Sequence, residues 1–307
     1  MEKEMKKKTN QHSRLTNTYT VENMIYGFLL DCSARRLSAH TISDYKNTMK
    51  KFSAFIGSDK LVSDITRFDM RGFFASQTVS NKTVRNYHGA LSVFFKFAIA
   101  ENIVDENPLI GIKLPKPETR TIEPISDADI RKLLKTIESD KSIHKNRNRA
   151  IVYLLLDTGL RVSELCGIKR ENINLEDRTI KVFGKNSKER IVAFSQTTAK
   201  HVWRYLSTNE NTTEYIFTAN NGNPLYRDNV CAMLYYWCDK AGIKRFSPHK
   251  LRHTYAISFL RNGGNIYALQ YSLGHTNLAM TKRYLAISDV DIIEAHKHAS
   301  PVSNLGL

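Results

Sequence analysis

Apolar side chains in the first hundred residues recur every three to four positions, the spacing of one helix face, and strand-like alternation is absent there. Ile25, Phe28 and Leu29 mark a first helix. Ile42, Tyr45, Met49, Phe52 and Phe55 or Ile56 mark a second, entered through Ser38 and Thr41 as capping residues. A short helix is predicted around Asp69 to Ser76, and Val84, Tyr87, Leu91, Phe94 and Ala98 mark a long fourth. Four such helices make a small bundle. Asn107-Pro108 stops it, and Pro115 and Pro117 hold the segment from Lys113 to Glu118 extended.

Beyond this connector, Ser126-x-x-Asp129 resembles a capping box with Asp in place of Glu. Helices are predicted over 127–138 and 147–158, with another from Val162. The period then changes. Ile180 and Val182, followed after a turn by Ile191, Ala193 and Phe194, predict a β-hairpin with Gly184-Lys185-Asn186-Ser187-Lys188 at its tip. A short strand is expected at Tyr215, Ile216 and Phe217. Helices resume over 227–241, 249–262, 265–273 and 278–285, and a tail helix is expected near 289–297. The expected fold class is mainly α with a small antiparallel β-sheet. The expected organisation is a flexible basic arm over 1–19, a helical domain over 20–112, a linker over 113–124, and a second domain over 125–300 ending in the tail helix.

Length and charge narrow the partners. A chain of 307 residues suits two domains, and 41% hydrophobic residues suffice for ordinary cores. The net charge is +16, and the field of such a chain attracts polyanions, nucleic acid above all. Residues 1–115 carry a net +6 and the remainder a net +10, so both domains are basic, as two domains touching one duplex would be. A basic chain that binds nothing charged is the alternative. Cys32, Cys166, Cys231 and Cys238 form no C-x-x-C pair and predict free thiols in a reducing compartment. Met1 to Lys8 is charged and leads into no apolar core, so no signal peptide is predicted. No apolar run approaches a membrane span, and a cytoplasmic, nucleoid-associated protein is expected.

Candidate chemistry begins at Ser247-Pro-His-Lys-Leu-Arg-His-Thr-Tyr-Ala256. Pro248 suits a first helical turn, and His249 and Arg252 then share a face. An arginine beside a histidine can bind a phosphate and move a proton near it. At Thr158-Gly-Leu-Arg-Val-Ser-Glu-Leu165, Gly159 permits an unusual turn and Arg161 falls at a helix start, where phosphate is favoured. Glu164 can hold a neighbouring cation. Gly274-His275 and Tyr284 follow. Taken singly, each has an ordinary alternative: a solvated basic helix face, an Arg–Glu surface pair, a packed histidine or tyrosine.

The whole set is more specific. Gly-Leu-Arg161-x-Ser-Glu-Leu, Gly-Lys185, His249-x-x-Arg252, Leu-Gly-His275 and Tyr284 resemble the active-site signature of tyrosine recombinases, nearest to Xer-type recombinases and the integrases of phages and conjugative transposons. The resemblance runs over roughly residues 20–300, in order and at suitable spacing. It implies an N-terminal helical core-binding domain of SAM-like fold and a C-terminal catalytic domain. It implies cleavage and rejoining of DNA through a covalent 3′-phosphotyrosyl bond, without metal, ATP or other cofactor.

By the same resemblance, Tyr284 is the nucleophile, and Arg161 and Arg252 grip the non-bridging oxygens. Lys185 protonates the leaving 5′-oxygen, with Lys188 as competitor. His249 accepts the tyrosine proton or donates to the phosphate, His275 bonds the same phosphate, and Glu164 supports one of these groups. The Asn-Ser after Gly-Lys185 departs from the family's commoner second glycine, which bears on turn chemistry. Tyr255 and Tyr271 are expected to pack in the core. His253 with His249 makes an i,i+4 pair that could bind zinc, but a site needs a further ligand and none is apparent.

The implied partners are double-stranded DNA at core sites, a homotetramer on two sites, and an accessory directionality protein. Val290 to Glu294 looks like a short amphipathic tail, docked on a neighbouring protomer or on its own domain. No extra arm-binding domain is evident before residue 20. Two rivals stand beside this reading: a type IB topoisomerase-like nicking-closing enzyme, and an inactive DNA-binding protein on the same fold.

Overall fold

The computed structural model describes residues 19–116, 122–184, 189–209, 213–219 and 221–285, with the isolated positions 296, 300 and 302. The basic arm up to residue 18, the Lys185–Lys188 hairpin tip and nearly all of the expected tail helix lie outside these residues. The chain divides into two compact units, Met1–Arg120 and Thr121–Leu307.

The first unit holds α1 (Val21–Ala34), α2 (Ala39–Ile56), α3 (Arg67–Ala75) and α4 (Asn81–Ala100). Hydroxyl side chains begin all four. Thr20, Ser38, Thr66 and Ser80 each accept a first-turn amide proton that would otherwise lack a partner. Thr66 and Asp69 close a reciprocal capping box that the sequence pattern had not singled out. The apolar faces converge on Phe28, Phe52, Phe73, Phe94 and Phe95, which form the centre of the core.

The second unit holds α5 (Asp127–Glu138), α6 (Lys145–Thr158), α7 (Val162–Cys166), β1 (Ile173–Asn174), β2 (Thr179–Phe183), β3 (Glu189–Ala193), α8 (Gln196–Thr208), α9 (Arg227–Lys240), α10 (Pro248–Arg261), α11 (Ile266–Leu273) and α12 (Leu278–Lys282). The strands form one antiparallel sheet in the order β1-β2-β3. Helix α6 is the spine, packed on α5, α8 and α10.

Two features were not foreseen, and two expectations need correction. The inward face of β3 is Arg190 and Val192, opposite Val182 and Ile180, while Ile191 is 58% exposed. A buried arginine at an inward position hid the alternation. Helix α8 was not expected, because its inward face mixes Thr198 and His201 with Val202 and Tyr205. The segment at Tyr215 forms isolated bridges, Lys169 with Tyr215 and Thr218 with Pro224, and no strand. Tyr271 is 60% exposed, since Leu269 and Leu273 take the inward side of α11. Tyr255 does pack, against Phe259, and bonds Ser272.

The four cysteines are free, three of them buried and Cys231 partly so. Among the described residues no helix is long and apolar enough to cross a membrane.

Candidate active site

Two helix ends build the centre of the site. α6 stops at Gly159 and α11 at Gly274, both in the left-handed conformation (φ 61° and 63°) that glycine adopts without steric cost. Close packing also requires glycine here. A Cβ on Gly159 would stand 2.3 Å from the Tyr255 ring, and one on Gly274 would stand 3.1 Å from the Arg190 guanidinium. Carbonyls at helix C-termini lack intrahelical partners and carry partial negative charge.

Arg252 of α10 takes up both. Its guanidinium donates 2.7 Å bonds to the Gly159 and Leu273 carbonyls. A third contact runs 3.1 Å from Nη2 to Nε2 of His275. Arg252 is only 2% exposed. Burial, followed by the field of Arg161, brings its pKa down to about 10, so it stays charged at neutral pH.

Arginine has only donors, so Nε2 of His275 must present its lone pair. The proton then sits on Nδ1, which lies 2.9 Å from the buried Thr281 hydroxyl. Burial, with Arg252 second, pushes His275 down to about 4, which keeps this ring neutral.

Arg161 begins α7 just beyond Gly159 and differs from Arg252 in exposure, with 40% of its side chain open to solvent. Glu164 holds it twice, through Nη1 at 2.9 Å and the backbone amide at 2.8 Å. The same carboxylate takes a two-pronged bond from Arg190 of β3, at 3.0 and 2.9 Å, and Nε of Arg190 donates to the Ser272 carbonyl at 2.8 Å. Burial alone would raise the Glu164 carboxyl, but its bonds to Arg190 and Arg161 hold it below the ordinary value. Glu164 and Arg190 are each 6% exposed, so this is no ordinary surface pair.

Tyr284 follows α12 in a turn closed by its amide on the Thr281 carbonyl. Its ring packs in a small cluster with Ala256, Ile257, Leu269 and Leu273 and is 8% exposed. Burial raises its phenol above the usual value, against the pull of Arg252, Arg283 and Arg161. The hydroxyl lies 2.9 Å from Nδ1 of His253. His249 is exposed on the first turn of α10, its ring 4.2 Å from that of His253. Among the described residues no group of three or more His, Cys, Asp or Glu is arranged to hold a metal.

The structure thus gathers Arg161, Glu164, Arg252, His275 and Tyr284, sets His249 behind His253, and leaves Lys185 outside the described residues. Arg190 is the residue the sequence pattern missed. Its signal was a cation at an inward strand position, visible only once the register is known. Chemically, the cluster is a set of fixed guanidinium donors beside a buried phenol, suited to an anion carrying non-bridging oxygens. Clefts of about 420 and 550 Å³ open elsewhere, beside Ile65 and Val104 and beside Arg147 and Leu225.

Comparisons with known proteins bear on both units. The pattern described as "Phage integrase family" matches residues 124–290, and "Phage integrase, N-terminal SAM-like domain" matches residues 26–102. The chain is 31% identical over 277 residues to Tyrosine recombinase XerD of Staphylococcus saprophyticus, covering 86% of this chain and 94% of that one. The crystal structure of XerA recombinase is similar at 29% identity with a TM-score of 0.52, covering 91% of this chain and 98% of that one. The Tn1549 transposon integrase in complex with transposon right end DNA shares the fold at a TM-score of 0.76 and 21% identity, covering 91% and 99%.

Proposed function

The chain belongs to the phage integrase family and is a tyrosine recombinase, and from that premise we propose that it cuts and rejoins DNA at specific core sites with Tyr284 as nucleophile. The observation that carries this reading is the buried Arg252 fork beside Tyr284 and His275, with Arg161 held at its edge by Glu164. A phosphodiester seated there would find its non-bridging oxygens facing two guanidinium groups, whose planar forks suit phosphate better than an ammonium does.

The reaction exchanges one phosphate ester for another. The phenol oxygen of Tyr284 forms a bond to phosphorus, the bond to the 5′-oxygen breaks, and that oxygen leaves with the electron pair and takes a proton. Lys185 is proposed as its donor. The ester bond survives as a 3′-phosphotyrosyl linkage, so a second strand's 5′-hydroxyl can reverse the step without ATP. Catalysis is then mainly electrostatic clamping of the transition state. His275, its Nε2 accepting from Arg252, is proposed to hold that guanidinium at the phosphate. His249, at the exposed start of α10, is proposed to donate to the same phosphate. Arginines supply the charge a metal would otherwise bring.

The DNA-bound integrase among the structural relatives and the +16 charge support a duplex as partner, with phosphate contacts making affinity fall steeply with salt. Assembly as a tetramer on two sites, with an accessory directionality protein, belongs to the same proposal. The test is covalent capture from a randomised duplex pool, followed by strand transfer on the captured sequence. Tyr284→Phe is expected to abolish the covalent complex and leave duplex binding nearly intact, and wild type is expected to work in excess EDTA. Covalent complex persisting in the Phe variant removes Tyr284 as nucleophile. Efficient relaxation of a supercoiled plasmid lacking the site points instead to a nicking-closing enzyme.

A further inference from the structure

We infer that His253 is a further catalytic residue of this reaction, its Nδ1 holding the Tyr284 hydroxyl and taking its proton as the phenol attacks phosphorus. This rests on the reading of Tyr284 as nucleophile. The family-like motif places a histidine three residues before Arg252, but the group on the tyrosine hydroxyl is the histidine directly after it.

Successive helix positions are turned by about 100°. Arg252 therefore points to the Gly159 and Leu273 carbonyls while its neighbour points to Tyr284. His249 lies one turn earlier, and its ring meets the His253 ring edge-on at 4.2 Å, on the solvent side. The order from the buried phenol outward is Tyr284, His253, His249.

The charge environment suits an acceptor. His253 faces His249, Lys250 and Arg252 from its own helix and Arg283 from the turn after α12. Burial first, and these groups after it, hold its pKa at about 4, so the ring is neutral and one nitrogen offers a lone pair. Arg252 also bears on the phenol and favours the phenolate. The hydroxyl can thus give its proton to Nδ1. A bound phosphodiester brings negative charge among the same cations, weakens their field, and makes the ring more basic when the transfer occurs.

The step balances. The Tyr284 O–H bond breaks, the proton goes to Nδ1, and the freed oxygen pair forms the P–O bond. The bond to the 5′-oxygen breaks with its electron pair, and that oxygen is protonated by the separate acid proposed above. Religation returns the proton from His253 to Tyr284.

The experiment is single-turnover covalent-complex formation by the full chain, on a nicked duplex of the sequence captured from the randomised pool. His253→Gln and His253→Ala are expected to slow it about 10²- to 10⁴-fold, the usual range for a positioned acid or base, with duplex affinity unchanged. Placing a fluorinated tyrosine of lower phenol pKa at position 284 is expected to restore at least about tenfold of the lost rate in both variants, because a more acidic phenol needs less help from a base. A residue that only packs against Tyr284 would not respond to phenol acidity. Cleavage by the His253 variants at or above the wild-type rate overturns the inference, as does a fluorotyrosine that restores nothing. If wild type itself captures no duplex, the functional reading has failed instead.

Discussion

In the first unit Phe28, Phe52, Phe73, Phe94 and Phe95 meet at ring-centroid distances of 5.2–6.2 Å, several of them edge to face, and Thr48 is its only buried polar side chain among the described residues. The second unit buries Arg252 and Arg190, and beside them the Glu164 side chain. Both are helical and both bury apolar clusters of ordinary size. They differ in what an internal side chain requires. A phenylalanine needs neighbours of the right volume, whereas a buried guanidinium needs particular acceptors at particular distances. The first interior is therefore graded and forgiving. The second is conditional, since each charge is tolerable only while its partner is in place.

Arg190 gives the largest test of that contrast. Arg190→Met is expected to cost about 3–5 kcal/mol, because Glu164 keeps its charge below the surface with fewer donors. Phe52→Ala should cost a similar ~3–5 kcal/mol through the cavity it leaves. The two losses differ in how they are repaired. Glu164→Gln added to Arg190→Met removes the unpaired charge and should recover part of the loss, a coupling that a double-mutant cycle measures. Both tryptophans, Trp203 and Trp237, lie in the second unit, so tryptophan fluorescence during urea unfolding of the full chain reads that unit alone. Strict additivity of the two substitutions would break the comparison.

Acid should separate the units next. His201, His253 and His275 of the second unit are each held down to about 4, burial being the first cause in every case. Between their ordinary value of 6.5 and about 4, the unfolded chain takes up protons that the folded chain refuses. Stability is present above that window and lost as pH falls through it. Glu164 extends the loss downward, since its lowered carboxyl contributes above its unfolded pKa and ceases to as pH falls through its folded one. In the first unit His88 is shifted the same way. The fluorescence midpoint is expected to be lower at pH 5 than at pH 7.5, with amide exchange along α4 changing less. Equal changes in both probes would count against a special charge dependence of the second interior.

The contrast also explains what could be read from residue order. Helical period marked α1, α2 and α4 because their inward positions are Phe, Met, Leu and Val, and the mainly helical fold with a small antiparallel sheet followed from such patterns. The pattern failed where the second unit places polar groups inside. Helix α8 turns Thr198 and His201 inward, so its face did not look apolar. In β3 Ile191 and Ala193 are outward, and Arg190, inward with Val192, is buried on Glu164. Tyr271 invited a core assignment by its type, but position on α11 decided its exposure. The residue types of the site were visible as spaced motifs. Which histidine meets the Tyr284 hydroxyl was not, because His249 and His253 share a helix face and only the turn after α12 distinguishes them.

The smallest test lies at two helix starts that look alike in sequence. Thr66-x-x-Asp69 and Ser126-x-x-Asp129 share one pattern, yet only the first closes in both directions. The Asp69 carboxylate accepts a 2.8 Å bond from the Thr66 amide and pairs with Lys60 at 3.1 Å. Ser126 accepts from the Asp129 amide at 3.1 Å, and the Asp129 carboxylate makes no return bond. Thr66→Ala and Ser126→Ala should each cost about 1 kcal/mol, the usual value of a cap hydroxyl. Asp69→Ala should cost a comparable ~1 kcal/mol, whereas Asp129→Ala should stay within about 0.5 kcal/mol, as a surface change away from such contacts does. Acid supplies the control. The Thr66 amide, with Lys60 beside it, holds the Asp69 carboxyl below its ordinary value despite partial burial, so its contribution is present above the unfolded pKa and fades as pH falls through the folded one. The difference between wild type and Asp69→Ala, followed by amide exchange in α3, should therefore close in acid. If it persists there, the carboxylate stabilises the helix through packing, and the reciprocal bond is not what sets the first unit's cap apart from the second's.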